Sequence, residues 1–353
     1  MNRPGEGGSN GGAGLDDVMG LMIGAVGALC VWLAAMVAST GGAGSVQNPD
    51  GELRWFSGTR WISESEVLEE NRLREGSRGS EGGGRLVVLV HGLDEPGGIW
   101  DDAAPALYQA GYRVVRFEYP NDQSIVTSAT GMRKAMERIG AMGFEDASIV
   151  AHSMGGLVSR EALTNPELGD GAGMIGDGDD GVVIDRLILV GTPNEGSAWA
   201  KLRGVAEVRE RVQRWVSSDD LDPSVLTTLG QDGDGQAGKD LQPGSAFLES
   251  LNARAMPAGL PVTCVIGRVI SPLQTAGKPA LDDAARSLGD GVVSVESGAL
   301  DGCDDVVLLV ANHRSLLRVV EFEEGWRAMV GAQEGSEPGA IGVILDRLSR
   351  DQD

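Results

Sequence analysis

The stretch Ala151-His152-Ser153-Met154-Gly155-Gly156 constrains this chain more than any other, because of what flanks it. Ala147-Ser148-Ile149-Val150 before it is a short apolar run with the character of a buried strand. Leu157-Val158-Ser159-Arg160-Glu161-Ala162-Leu163 after it has helical composition. A serine on so tight a strand-to-helix turn is the nucleophile elbow, usually written G-x-S-x-G. The turn forces the serine backbone into a strained conformation, so the positions two before and two after it must be small. Gly155 meets that demand, and Ala151 adds one methyl, which a slightly opened turn accepts. The five-residue pattern arises often by chance; its place between strand and helix gives it weight.

From Arg85 onward, strand-like and helix-like segments alternate. That points to an α/β domain, a mostly parallel sheet with helices on both faces. Leu86-Val87-Val88-Leu89-Val90 is continuously apolar, as in a strand covered on both sides. Ile99 to Ala110 reads as a helix and Tyr112 to Tyr119 as a strand. Asp122 to Met142 contains a helix, and Ala147 to Ala151 is the strand leading to Ser153. Further strands are expected at Val183 to Val190, Pro261 to Ile266 and Val306 to Ala311, the last followed by a helix through Ser315 to Val330. Ile341 to Leu348 is a short amphipathic stretch in the tail. Asn165 to Gly181, rich in Gly and Asp, reads as a surface loop. Ala198 to Pro243 carries Leu202, Val205, Val208, Val212 and Trp215 at helical spacing, so it is either a lid or a helix packed on the sheet.

The amino-terminal quarter is built differently. Val18 to Ala38 is an uncharged run with the ~20 apolar residues that span a bilayer. The leader before it carries only Arg3 against Glu6, Asp16 and Asp17, which favours an uncleaved anchor over a secretory signal, although Val37-Ala38-Ser39 resembles a weak cleavage site. The chain therefore divides into a disordered tail (1–17), a transmembrane helix (18–38), a linker (39–84), the α/β domain (85–330) with its 198–243 insertion, and a C-terminal tail (331–353). The expected location is the membrane, with the folded domain on the extracytoplasmic side. A formal net charge of −23 leaves no basic stripe to neutralise phosphates, so no nucleic-acid partner is expected. Cys30, Cys264 and Cys303 form neither a disulfide framework nor a metal spacing; a Cys264–Cys303 bridge and buried free thiols both remain open. Gly176-Asp177-Gly178-Asp179-Asp180 and Asp232-Gly233-Asp234 lack the full register of a calcium loop, and no metal or cofactor is expected.

A serine hydroxyl needs a neighbouring base before it attacks a carbonyl. The chain has three histidines. His152 adjoins Ser153 and must point away from its hydroxyl. His91 ends the first strand of the domain and suits a structural role in the following loop. His313 remains, at a strand end where sites of parallel sheets assemble, and is assigned as general base. The acid that orients it falls between the strand Pro261 to Ile266 and His313. Asp290, flanked by glycines, stands out there, while Asp282, Asp283, Asp301, Asp304 and Asp305 compete on position. Two backbone N–H groups should face the developing oxyanion, those of Met154 after the serine and Leu93 after the first strand.

Taken in order, these pieces resemble the α/β-hydrolase superfamily, and within it the bacterial lipase and esterase group. The matching segments are Val90-His91-Gly92-Leu93, Ala151 to Gly156, Val190-Gly191-Thr192-Pro193-Asn194-Glu195-Gly196-Ser197, Asp290-Gly291-Val292-Val293-Ser294-Val295 and Asn312-His313. Leu241-Gln242-Pro243-Gly244-Ser245-Ala246-Phe247-Leu248 also resembles a segment that follows the lid in such lipases. The resemblance runs from about Arg85 to about Val330. It implies that Asp290 is the acid of a Ser153-Asp290-His313 triad and that the chain is a serine carboxylester hydrolase. Acyl esters, lipid-like ones above all, are the implied substrates. An acyltransferase or thioesterase would use the same triad, and a non-catalytic membrane-tethered scaffold would keep the fold without it.

Overall fold

The computed structural model describes residues 48–75, 85–93, 97–121, 123–169, 174–175, 181–197, 235–303, 305–319 and 338–350. The described residues fall in one compact unit. The transmembrane run 18–38 lies outside the described residues. So do the greater part of the 198–243 insertion, both calcium-like segments and residues 320–337. Among the described residues, no helix is long and apolar enough to cross a membrane.

The sheet is made of β1 (Glu52–Phe56), β2 (Trp61–Ser63), β3 (Leu86–Val90), β4 (Arg113–Glu118), β5 (Asp146–His152), β6 (Met174–Ile175), β7 (Val182–Val190), β8 (Val262–Gly267) and β9 (Asp305–Leu309). Their spatial order is β2-β1-β4-β3-β5-β7-β8-β9, with β6 beside β7. The run from β4 to β9 is parallel, while β1 pairs antiparallel with β2 and β4, and β6 with β7. All five residues of β3 are buried, as a strand with helices on both faces must be. The chain passes from β3 to β4 on one side and returns across β3 to β5 on the other. The ends of β3 and β5 therefore flank a topological switch point, where open α/β sheets leave a crevice.

Two apolar layers cover the sheet. On one face lie α3 (Ile125–Ala141), α4 (Met154–Thr164) and α6 (Ala246–Asn252), contributing Met132, Met136, Ile139, Leu157, Val158 and Leu251. On the other lie α2 (Ala103–Gln109) and α10 (Gly339–Ser349), contributing Leu107, Ile341, Ile344 and Leu348. The remaining helices are α1 (Glu64–Glu75), α5 (Gln236–Asp240), α7 (Pro272–Thr275), α8 (Pro279–Leu288) and α9 (Val295–Gly298).

The sheet extends beyond the domain boundaries read from the sequence. β1 and β2 lie in the segment expected to be linker, and their alternating burial puts Leu53, Trp55 and Ile62 into the core. The C-terminal stretch expected as a tail forms α10, which closes the second face. Its Arg347 makes a two-pronged ion pair with Asp305 of β9, at 2.6 and 2.9 Å. After β9 the chain makes turns from His313 to Leu317 where a helix from Ser315 was expected.

Because Ile344 is 1 % exposed, Ile344→Ala should cost about 2–5 kcal/mol in urea unfolding, the range for such a truncation in a core. A loss below about 0.5 kcal/mol, as at exposed sites, would mean that α10 does not pack as described.

Candidate active site

β5 delivers the chain to the carboxyl edge of the sheet, and α4 starts one residue later. Ser153 occupies the junction with φ 53° and ψ −127°, the one positive φ on a non-glycine residue among the described residues. Its N–H donates to the Val190 carbonyl at 2.9 Å, and its own carbonyl accepts from Gly156 at 3.0 Å. The strain of such a backbone, about 1–3 kcal/mol, persists only where surrounding contacts enforce it. They do here. A Cβ on Gly155 would stand 2.4 Å from the carbonyl oxygens of Val90 and His91, and one on Gly156 would meet Thr192 Oγ1 at 2.0 Å. On the β3 side, a Cβ on Gly92 would lie 2.6 Å from Ser153 Cβ, so the loop after β3 runs directly against the serine.

His313 and Asp290 come together in the loops after β9 and β8. His313 Nδ1 is 2.7 Å from Asp290 Oδ2, and the His313 N–H donates to the Asp290 carbonyl at 3.0 Å. The other carboxylate oxygen accepts from the N–H groups of Val292 (2.9 Å) and Val293 (2.8 Å). An ionised carboxylate only accepts, so the imidazole proton sits on Nδ1 and Nε2 is the basic nitrogen. Both side chains are buried. Glycines make room for them. A Cβ on Gly267 would lie 2.6 Å from Asp290 Cβ, and one on Gly191 (φ +58°) would press on His313 Nδ1 at 3.1 Å and Asp290 Oδ2 at 3.3 Å.

The competing acids go elsewhere. Asp282 pairs with Arg268 at 2.7 Å and Asp305 with Arg347, while Asp283 and Asp301 are exposed. Asp304 lies outside the described residues.

The serine and the imidazole share one edge. His152, next to Ser153, donates from Nε2 to the His313 carbonyl at 3.2 Å, and the two rings sit 4.7 Å apart. Burial, aided by the neighbouring His313, holds the His152 pKa well below the usual imidazole value, so His152 stays neutral beneath His313. Sequence reasoning turned this ring away from the serine but did not find it supporting His313.

His91 organises the loop after β3. Its Nε2 accepts the Tyr119 N–H at 3.2 Å, which leaves the proton on Nδ1 to donate to the Gly92 carbonyl at 2.8 Å. The Tyr119 hydroxyl returns a bond to the His91 carbonyl at 2.6 Å, and the rings stack at 4.3 Å. In a trans peptide plane C=O and N–H point oppositely. Fixing the Gly92 carbonyl on the His91 ring therefore aims the Leu93 N–H away from it. Leu93 is half-buried and Met154, first residue of α4, is buried.

A polar net, absent from the sequence-based reading, secures the loop after β7. Arg160 of α4 donates to Asn194 Oδ1 at 3.0 Å and Asn252 Oδ1 at 2.9 Å. Asn194 donates to the Gly298 carbonyl at 3.1 Å, and Ser297 Oγ to the Gly196 carbonyl at 2.6 Å. Ser197 Oγ donates to the Val292 carbonyl at 2.6 Å, tying this loop to the one that carries Asp290. Asn194 and Ser197 were visible only as members of the Gly191 to Ser197 segment. Among the described residues no cluster of His, Cys, Asp and Glu has the form of a metal site.

Burial lowers the His91 pKa from 6.5 to about 4. Between those values the unfolded chain binds a proton that the folded one refuses, so stability falls as pH drops from 6.5 to 4 and not above 6.5. His91 accounts for about 3 kcal/mol of that loss, and His152 adds to it in the same direction. Urea titrations at pH 7.5 and 4.5 should show the drop, and His91→Gln should reduce it. An unfolding midpoint independent of pH over this window would contradict a buried neutral His91.

A family model described as the alpha/beta hydrolase family matches residues 87–324. No curated protein matches the chain significantly. Among solved structures it is similar to the mature form of a Bacillus licheniformis lipase, at 18% identity over 68% of this chain and 89% of that one, with a TM-score of 0.46. It is also similar to a metagenomic carboxyl esterase, at 17% identity over 76% of each chain (TM-score 0.49). A Legionella pneumophila phospholipase is similar at 16% identity over 76% of this chain and 62% of that one (TM-score 0.48). By the family model, which spans most of the chain, this protein belongs to the alpha/beta hydrolase family.

Proposed function

We propose that the chain is a serine carboxylester hydrolase acting on acyl esters through a covalent acyl-enzyme. The observation that carries this reading is the strained Ser153 at the β5–α4 junction, next to His152, whose ring packs 4.7 Å from an imidazole held at Nδ1 by a buried carboxylate. Ser153 Oγ attacks the acyl carbon while His313 Nε2 takes its proton. The N–H groups of Leu93 and Met154 receive the oxyanion of the tetrahedral intermediate. Collapse expels the alcohol, which takes the proton back from His313, and leaves the acyl group on Ser153. Water then attacks the acyl carbon, again giving its proton to His313, and the acid is released as the serine is reprotonated. Asp290 keeps Nδ1 protonated throughout and stabilises the imidazolium.

The apolar run 18–38 and the amphipathic 198–243 insertion support lipid-like acyl chains over small polar esters, with the domain tethered to a membrane on its extracytoplasmic side. Protease added to intact cells should therefore shave the domain from the surface; complete protection until the cells are lysed would place it inside.

With p-nitrophenyl esters of graded chain length, Ser153→Ala should lower kcat by at least about 10⁴-fold, as loss of a triad nucleophile does. Asp290→Asn should cost about 10⁴-fold with the fold intact, because the amide stabilises the wrong tautomer. Rates should rise with acyl length. Undiminished activity in Ser153→Ala would remove the nucleophile from the proposal.

A further inference from the structure

Cys264 lies on β8 and is fully buried, whereas Cys303, in the turn leading into β9, is half-buried. Both pack into the apolar layer on the α3–α4 face. β8 and β9 run parallel with Cys264 opposite Val306, which brings the turn before β9 alongside β8. The Cys303 sulfur lies 3.2 Å from the carbonyl of Val262, two residues before Cys264 on β8, and 3.5 Å from that of Asp305, so the two thiols are close neighbours that shift each other's acidity. Both residues are free thiols. Cys303 also forms part of the wall of a cleft of about 760 Å³, together with Arg160, Arg254, Leu260 and Val262. Ser153, Asp290 and His313 do not line it. The cleft gives a small reagent access to Cys303, and to Cys264 only through Cys303.

We infer that Cys264 and Cys303 are a dithiol that closes into one intramolecular disulfide at the expense of a low-molecular-weight disulfide admitted by the cleft. The Cys303 sulfur attacks one sulfur of the reagent, whose S–S bond breaks. The first thiol leaves with the Cys303 proton, and a mixed disulfide remains on Cys303. The Cys264 sulfur then attacks the Cys303 sulfur and expels the second thiol, which takes the Cys264 proton. One disulfide is reduced to two thiols while the protein loses two hydrogen atoms. The order of attack follows from the contact between the thiols. The neighbouring Cys264 thiol pulls the Cys303 pKa below the usual thiol value, and the same contact together with burial pushes that of Cys264 up. The more acidic, more accessible thiol attacks first, and the buried one resolves.

The bridge closes a covalent ring from 264 to 303 that contains Asp290 and leaves His313 outside. Cross-linking removes conformational freedom from the unfolded chain without altering the native contacts around Asp290. The consequence is a more heat-resistant seat for that carboxylate in an oxidising compartment.

The test uses the full-length protein, fully reduced and then equilibrated with excess oxidised glutathione, with thiol alkylation, peptide mass mapping and thermal melts. Wild type should yield a Cys264–Cys303 cross-linked peptide lighter by two hydrogens, and its Tm should rise by roughly 5–10 °C. Cys264→Ser, which attacks but cannot resolve, should retain glutathione on Cys303. Cys303→Ser should give neither cross-link nor Tm shift. The inference fails if both thiols of wild type stay alkylatable, if glutathione accumulates on its Cys303, or if either residue pairs with Cys30. Should a variant fail to fold, the wild-type peptide map alone decides. No readout depends on ester hydrolysis, so the outcome is separate from that of the proposed activity.

Discussion

The carboxyl edge of the sheet depends on how closely α4 approaches the ends of β3 and β7. Gly155 faces two carbonyl oxygens of the Val90–His91 strand end, and Gly156 faces the Thr192 side chain, each at a distance that leaves no volume for a methyl group. Any side chain there would push the helix outward and carry Ser153, its N-cap, along with it. The positive φ of Ser153 follows from the same closeness, because the chain must pass from strand to helix within one residue. The cost is local, and what offsets it is the burial of every residue of α4.

A second constraint is the buried charge of Asp290. A carboxylate withdrawn from water is tolerated only when its lone pairs are taken up by donors. Two successive N–H groups from its own turn and one imidazole N–H do this, and glycines at 191 and 267 allow them to close around it. The arrangement that satisfies the charge also settles the tautomer of His313. Satisfying the buried charge and fixing the imidazole tautomer therefore come from one set of hydrogen bonds. The neutral His152 packed against His313 adds no positive charge beside it.

The strands from β3 to β9 along the parallel run were legible to within about two residues, because a strand covered on both faces must be apolar throughout. The junction position of Ser153 and the strand-end position of His313 were legible as well, the first from its flanks and the second from the scarcity of histidine. Asp290 needed the resemblance, since spacing alone left five rivals. β1 and β2 were missed although Leu53 and Trp55 alternate with Glu52 and Arg54. An antiparallel strand near the sheet margin with one wet face carries charges, and beside a Gly/Ser-rich spacer those charges read as linker. α10 was visible as an amphipathic stretch, but which surface receives an apolar stripe is a tertiary fact. The same holds for Gly191 and Gly267: a glycine that admits a neighbour's side chain looks in sequence like any other glycine.

The net around Arg160 shows why the loops at this edge need more than apolar packing. Where β7 ends, its backbone groups leave the sheet ladder and still lie buried, so partners must come from side chains. Ser297 takes the Glu195 N–H and donates to the Gly196 carbonyl, Asn252 donates to the Asn194 carbonyl, and Arg160 holds the Asn194 side chain. Burial pulls the Arg160 pKa to about 10, which leaves it cationic at neutral pH, and its partners here are amide oxygens. Two of its terminal N–H groups are thus met by neutral amides and not by carboxylates. Through Ser197 and the Val292 carbonyl, the net reaches the turn that presents Asp290. The helix that carries the serine and the loop that carries the acid are therefore held to a common support, and their relative position does not rest on the Asp290–His313 contact alone.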